Sequence, residues 1–197
     1  NIAVLSDEIY AELTYGKKHV SIANIEGMKE RTIIASGFSK AYAMTGWRIG
    51  FVAGPEWLVK AINKLQGQYT SGPCSVSQKA AEAAYTGTQA PVEEMRQAFE
   101  RRKNLIVELT KQIPGLEVNN PTGAFYLFPK LDIKKFNITD DEQFTFDLLR
   151  DKKILLIAGK GFNWHQPDHF RIVYLPRIEV LDEAMVKLKD FLSYYRQ

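Results

Sequence analysis

The stretch TIIASGFSKAYAMTGWRIGFVAGP, residues 32–55, decides how the fold of this chain is read. Its opening run, TIIAS, is short, apolar and rich in β-branched side chains, the pattern of a strand buried on both faces. Its closing run, from Ile49 to Pro55, stops at Gly and Pro and suits an antiparallel strand at a sheet edge. Between them lies a turn of Ser, Gly and Thr residues that carries Lys40 and Arg48. Upstream, IAVLS at residues 2–6 repeats the buried-strand pattern and ends at Asp7. If IAVLS and TIIAS run parallel, Asp7 and Lys40 leave the sheet at one edge and share one crevice. In open α/β sheets ligands bind at that carboxyl edge, because its loops can be reshaped while the strands stay rigid.

The connection SIANIEGMKE, residues 21–30, predicts a short helix. Beyond Glu56 the apolar spacing becomes helical in WLVKAINKLQ, SQKAAEAAY and EEMRQAFERRKNLIVELTKQI, interrupted at SGPC and TGTQAP. Strand character returns in GAFYLFPKL, then a helix over DDEQFTFDLLRDK, strands ILLIA and HFRIVYL, and a closing helix IEVLDEAMVKLKDFLSYY. This order predicts an α/β chain of two regions: residues 1–94, a mixed and mostly parallel sheet with helices, and residues 95–197, a smaller α+β domain. The boundary falls inside the long helix near Met95.

Composition narrows the function classes. The 197 residues are 45% hydrophobic and 25% charged, which argues for a folded chain and against disorder. Twenty-six Lys and Arg against 23 Asp and Glu alternate in sign along the chain, so no basic run exists to track the phosphates of a nucleic acid. No apolar stretch is long enough to span a membrane, and the first residues lack a signal-peptide pattern. Cys74 is the only cysteine, which forbids an intrachain disulfide and suits the reducing cytoplasm. Asn1 is followed at once by an apolar run, so the chain is expected to be a fragment that starts within a folded element.

Lys40, Arg48 and Asp7 together suggest one chemistry. A lysine amine in a dry pocket near another cation can lose its proton and condense with an aldehyde. The planar fork of Arg48 suits a phosphate, and Ser36 and Ser39 can add hydroxyl donors. A carboxylate such as Asp7 would keep a pyridine nitrogen protonated, so that the ring draws electrons from a substrate carbanion. The set points to pyridoxal 5'-phosphate, against the plainer alternative of solvated loop cations and a turn-capping aspartate. Arg171 sits in HFRIVYL among apolar neighbours. Either something anionic pairs with it, or it reaches solvent from one face of an edge strand.

DEIY at 7–10 and SGFSKAYAMTGWRIGF at 36–51 resemble the class I, fold-type I pyridoxal-phosphate aminotransferases, and the resemblance runs on to FRIVYLPR at 170–177. It implies a partial large cofactor domain followed by the small C-terminal domain. By it, Lys40 is the catalytic lysine that carries the cofactor and shuttles a proton, and Asp7 is the partner of the pyridine nitrogen. Tyr10 would bond the phenolic oxygen, Arg48 the phosphate, and Arg171 the substrate α-carboxylate. Gly37 stands where many relatives carry Ser or Thr. Relatives are roughly twice this length and the match covers their C-terminal half; the other half supplies a helix N-terminus for the phosphate, a ring stacked on the pyridine and an Asn. The intact enzyme would be a homodimer passing an amino group between an amino acid and a 2-oxo acid, and this chain alone is expected to be inactive.

PTGAFYLFPKLD, FNITDDEQF and GKGFNWHQPDHFRIVYLPR are similar to bacterial alanine aminotransferases, whereas the lysine string is nearer the aspartate branch. YTSGPCSVS lacks the second arginine of some aspartate enzymes, which favours a small neutral amino acid. A pyridoxal-phosphate carbon–sulfur β-lyase would share the same residues, and a non-catalytic folded fragment is the alternative outside enzymes. No metal is expected, since Pro167 separates His165 and His169 and nothing completes a ligand set. GKG at 159–161 reads as a turn, and ERRK at 100–103 as the wet face of a helix.

Overall fold

The computed structural model describes residues 2–197 and divides into two compact units, one up to Arg96 and the other from Gln97 onward. In the first, β1 (Val4–Asp7) pairs in parallel with β2 (Thr32–Gly37), and β2 pairs antiparallel with β3 (Gly50–Ala53), giving the order β1-β2-β3. The sheet is therefore mixed, with one pair of each kind. Gly37 and Gly50 face each other in the β2–β3 register. A Cβ on Gly37 would lie 2.9 Å from the Gly50 Cα, so only glycine permits the strands to come this close.

Three helices follow, α1 (Glu56–Thr70), α2 (Ser75–Thr86) and α3 (Ala90–Lys111), at the places where the period turns helical. Phe38, Met44 and Ala81 form a buried cluster against which Tyr42, Ile49, Ala80 and Ala84 pack. This cluster ties the loop after β2 to α2. Burying each large apolar side chain of this kind stabilises the unit by about 1.5–3 kcal/mol.

Two expectations are corrected here. Residues 21–30 form no helix but two short 3-10 turns, Ile22–Asn24 and Lys29–Arg31, with Gly27 at φ +73° between them. The nucleation cost of a regular helix is not recovered over so few residues. Nor is β1 buried on both faces: Leu5 is 71% exposed, because among the described residues too little packs on the face that it occupies. An apolar run states what a strand could bury, and only the neighbours decide whether it does.

In the second unit the predicted strand GAFYLFPKL is split into β5 (Tyr126–Leu127) and β6 (Lys130–Leu131). Pro129 lies between them and lacks an N–H for a ladder; its carbonyl accepts from the Phe170 N–H at 3.3 Å. β6 pairs with β4 (Leu116–Glu117), whereas β5 joins β7 (Ile157–Ala158) and β8 (Phe170–Val173) in the order β5-β8-β7, all antiparallel. The short α4 (Ile133–Phe136) is followed by α5 (Asp141–Lys152), which begins where the Asp140 carboxylate accepts the N–H groups of Glu142 and Gln143. α6 (Ile178–Tyr194) closes the unit and buries Leu181, Met185, Leu188, Phe191 and Leu192. At the centre Phe144 is fully buried, its ring 5.6 Å from Phe170 and 6.1 Å from Phe191. No helix among the described residues is long and apolar enough to cross a membrane.

Candidate active site

Asp7 ends β1 and pairs in register with Ala35, one strand spacing away or about 4.8 Å. β2 continues only to Gly37 before the chain turns through Phe38 and Ser39 to Lys40. The two strands are parallel, so Asp7 and Lys40 emerge at the same carboxyl edge of the sheet. Asp7 is exposed, and its Oδ1 accepts the Ile9 N–H at 3.1 Å, which fixes the start of the turn that carries Tyr10. Tyr10 is half-buried in that turn, whose Leu13 N–H closes on the Tyr10 carbonyl at 2.9 Å.

The loop after β2 presents its lysine by burying its neighbours. Phe38, Ala41 and Met44 are turned into the core, which leaves Ser39 and Lys40 half-buried at the loop's outer side. Tyr42 and Met44 both donate backbone N–H groups to the Phe38 carbonyl at 3.3 Å, and Ala43 donates to the Lys40 carbonyl at 3.2 Å. Arg48 returns the loop to β3 with φ at +49°, a conformation that costs a non-glycine residue of order 1–3 kcal/mol. Its Nη1 donates to the Thr45 carbonyl at 2.9 Å while the side chain stays exposed. Ser36 Oγ donates to the Glu8 carbonyl at 3.2 Å, so its proton is used to tie β2 to the turn after β1. An amine, a carboxylate, a guanidinium and a hydroxyl thus share one edge of the sheet, a set able to hold an aldehyde that carries a phosphate.

Glu8 escaped sequence reasoning. It is buried, and its carboxylate accepts from Ser21 Oγ at 2.6 Å and Ser6 Oγ at 3.1 Å and meets His19 Nε2 at 3.2 Å. Burial opposes its ionisation, but the Ser21 and Ser6 hydroxyls and His19 outweigh it and hold the carboxyl below the usual glutamate range. The residue beside Asp7 is thereby clamped. Only its position after an apolar run could have drawn attention to it.

In the second unit Arg171 lies on β8, and β8 is the central strand of its sheet. Arg171 is therefore not on an edge strand, and it is half-buried. Its guanidinium carbon sits 4.6 Å from the Tyr126 ring centroid and 4.5 Å from that of Phe162, and its buried Nε has no hydrogen-bond partner. A buried donor left unpaired costs about 1–3 kcal/mol. Tyr126 and Phe162 were not singled out from sequence; for Phe162 the only signal is an aromatic residue directly after a glycine-rich turn.

The two histidines do not come together on a helix. His165 is exposed, whereas His169 stacks on Phe128 at 4.8 Å with its Nδ1 2.7 Å from Asp168 Oδ1. Among the described residues no group of three His, Cys, Asp or Glu side chains could hold a metal ion. GKG forms a 3-10 turn, Gly159–Phe162, after β7.

Comparison with known proteins identifies the family. The chain is 44% identical over 197 residues to an aspartate aminotransferase of Bacillus subtilis, covering 98% of this chain and 50% of that protein. It is 42% identical over 205 residues to the glutamate-pyruvate aminotransferase AlaA of Haemophilus influenzae, covering 100% of this chain and 50% of the other. The crystal structure of an aspartate aminotransferase from Rhizobium meliloti superposes with a TM-score of 0.91 at 35% identity, over 97% of this chain and 50% of that one. The chain thus spans about half the length of the curated relatives it matches. The model of the family described as aminotransferase class I and II matches residues 1–188, and the chain belongs to that family.

Proposed function

We propose that this chain is part of an aminotransferase that moves an amino group between an amino acid and a 2-oxo acid, with residues 1–94 in the large cofactor domain and residues 95–197 forming the small domain. The observation that carries the reading is the emergence of Asp7 and Lys40 from the carboxyl ends of adjacent parallel strands. The family works with pyridoxal phosphate, and the groups at this edge fit it. A primary amine suits the aldehyde, an exposed carboxylate suits the ring nitrogen, and Ser39 and Arg48 suit the phosphate. Ser36 contributes there as an acceptor or through its backbone, since its proton is already given to Glu8.

When bound, the cofactor supplies an electron-poor ring that stabilises negative charge at the substrate Cα. Lys40 Nζ would carry the cofactor at rest and, once released, would take the proton from Cα of the amino-acid substrate and, in the half-reaction with the 2-oxo acid, would deliver a proton to Cα. Asp7 holds the proton on the ring nitrogen. The Tyr10 hydroxyl donates to the phenolic oxygen. Arg171 grips the α-carboxylate by its planar fork, which orients the Cα–H bond for removal. The complete enzyme is a homodimer of the cytoplasm; the single cysteine, which forms no intrachain disulfide, suits that compartment.

The likeness to the glutamate-pyruvate enzyme, and the absence of a second arginine in YTSGPCSVS, support a small neutral donor such as alanine, with glutamate and 2-oxoglutarate as the other pair. Mixing the purified protein with pyridoxal phosphate tests the core of this reading. A visible absorption band is expected, and Lys40→Ala removes it. In the natural protein the same change lowers transamination by about 100-fold or more, the scale of a lost general base. An equally active Lys40→Ala variant refutes the assignment.

A further inference from the structure

Arg171 is held in an unusual way. β8 has a neighbour on each side, and each side delivers one aromatic ring to the same guanidinium. Tyr126 comes from β5, where it pairs with Val173, two residues along β8 from Arg171 on the same face. Phe162 comes from the 3-10 turn that follows β7. With ring centroids at 4.6 Å and 4.5 Å, both rings lie within cation–π range. Neither ring hydrogen-bonds the Nε, which stays buried and unpartnered.

The turn that carries Phe162 is fastened at several points. The Gly159 N–H donates to the His169 carbonyl at 2.8 Å, and a Cβ at position 159 would meet that same oxygen at 2.8 Å. The Lys160 N–H donates to the buried carboxylate of Asp141 at 2.8 Å, while its ammonium pairs with Glu142 at 2.8 Å. Asn163 closes the turn in the left-handed region, its N–H shared between the Gly159 and Lys160 carbonyls. Finally, the Phe162 ring meets the edge of Phe128, 6.0 Å away at 89°. A half-exposed phenylalanine on a surface turn rarely needs so many anchors, and the anchored ring ends against Arg171.

We propose that Phe162, with Tyr126, is a positioning residue: the two rings clamp the Arg171 guanidinium and hold its planar fork in place for the substrate carboxylate. The proposal rests on the carboxylate role of Arg171 given above. An unclamped arginine loses rotamer freedom on binding, and the rings remove that cost beforehand. They do so without hydrogen-bonding the Nε.

The test uses Phe162→Leu, which keeps an apolar side chain and loses the ring, and Phe162→Tyr, which restores the ring. In the natural protein loaded with pyridoxal phosphate, Phe162→Leu should raise KM for both amino acid and 2-oxo acid about 3- to 10-fold, the scale of one cation–π contact, with kcat little changed. Phe162→Tyr should restore KM. Independently of activity, the Nε–Hε resonance of Arg171 in the cofactor-free protein, assigned by its loss in Arg171→Lys, should be displaced upfield by the two rings. It should move toward the position of ordinary arginines in Phe162→Leu and stay displaced in Phe162→Tyr. An undisplaced resonance in the parent, or a folded Phe162→Leu variant with unchanged KM, overturns the clamp. If Arg171→Lys raises KM while Phe162→Leu does not, only the clamp falls. If Arg171→Lys leaves KM unchanged, the carboxylate role of Arg171 falls and the clamp with it.

Discussion

Replacing Gly37 by alanine should destabilise the first unit even though the new side chain is a single methyl group. The added Cβ would stand 2.9 Å from the Gly50 Cα and 3.1 Å from the Ile49 carbonyl oxygen, both of them backbone atoms that no rotamer change can move. To restore ordinary contact, β2 and β3 must part by about half an ångström along their shared ladder, and overpacking of this kind costs about 1–3 kcal/mol. Against this, alanine restricts the unfolded chain and returns about 0.4–1 kcal/mol. The strain is the larger effect, and the net loss should be about 1–2 kcal/mol. For a chain of this size that lowers the melting temperature by roughly 2–8 °C. The assay is urea and thermal unfolding followed by circular dichroism, with Gly46→Ala as control, since nothing lies within 4 Å of a Cβ there. Gly50→Ala strains the same contact from the other side, where its Cβ would meet the Ser36 carbonyl at 2.9 Å, so the double variant should lose less than the sum of the two. If Gly37→Ala unfolds with the control, the close approach does not constrain this position.

The remaining predictions concern the clamp beside Asp7 and the core of the second unit. The Glu8 carboxyl is held below its ordinary value of 4.5, so the stability it contributes is present above that pH and is lost as pH falls through the lowered value. Glu8→Gln should therefore be less stable than the parent at neutral pH, with the gap narrowing below about pH 4.5; a gap independent of pH in urea titrations would contradict this. Phe144→Ala removes a fully buried ring that packs on Phe170, Phe191 and Tyr195, and should cost about 3–5 kcal/mol by denaturant unfolding. A loss under 1 kcal/mol would mean that the second unit does not depend on this cluster.

Much of the site was legible because its signals are local. Lys40 follows a strand-forming run within a few residues, Asp7 does the same, and α/β sheets place such loops at one edge. The helices from Glu56 to Lys111 were legible for a related reason: apolar spacing three and four apart is a property of a single segment. Residues 21–30 were misread because a brief apolar spacing meets the same rule without the length to repay nucleation. The break at Pro129 was on the page as a proline, yet which sheet each half joins depends on partners far along the chain.

The sequence by itself determined that an amine, a carboxylate and a guanidinium stand at the ends of strand-like runs, because side-chain chemistry and backbone periodicity are written residue by residue. Only the tertiary structure decided that β1 and β2 run parallel, so that Asp7 and Lys40 share an edge. It also decided that β8 is central and that the half-buried Arg171 lies between two rings. Strand order and pairing direction are set by burial and hydrogen bonding between segments distant in sequence, and those are properties of the assembled sheet, absent from any one strand.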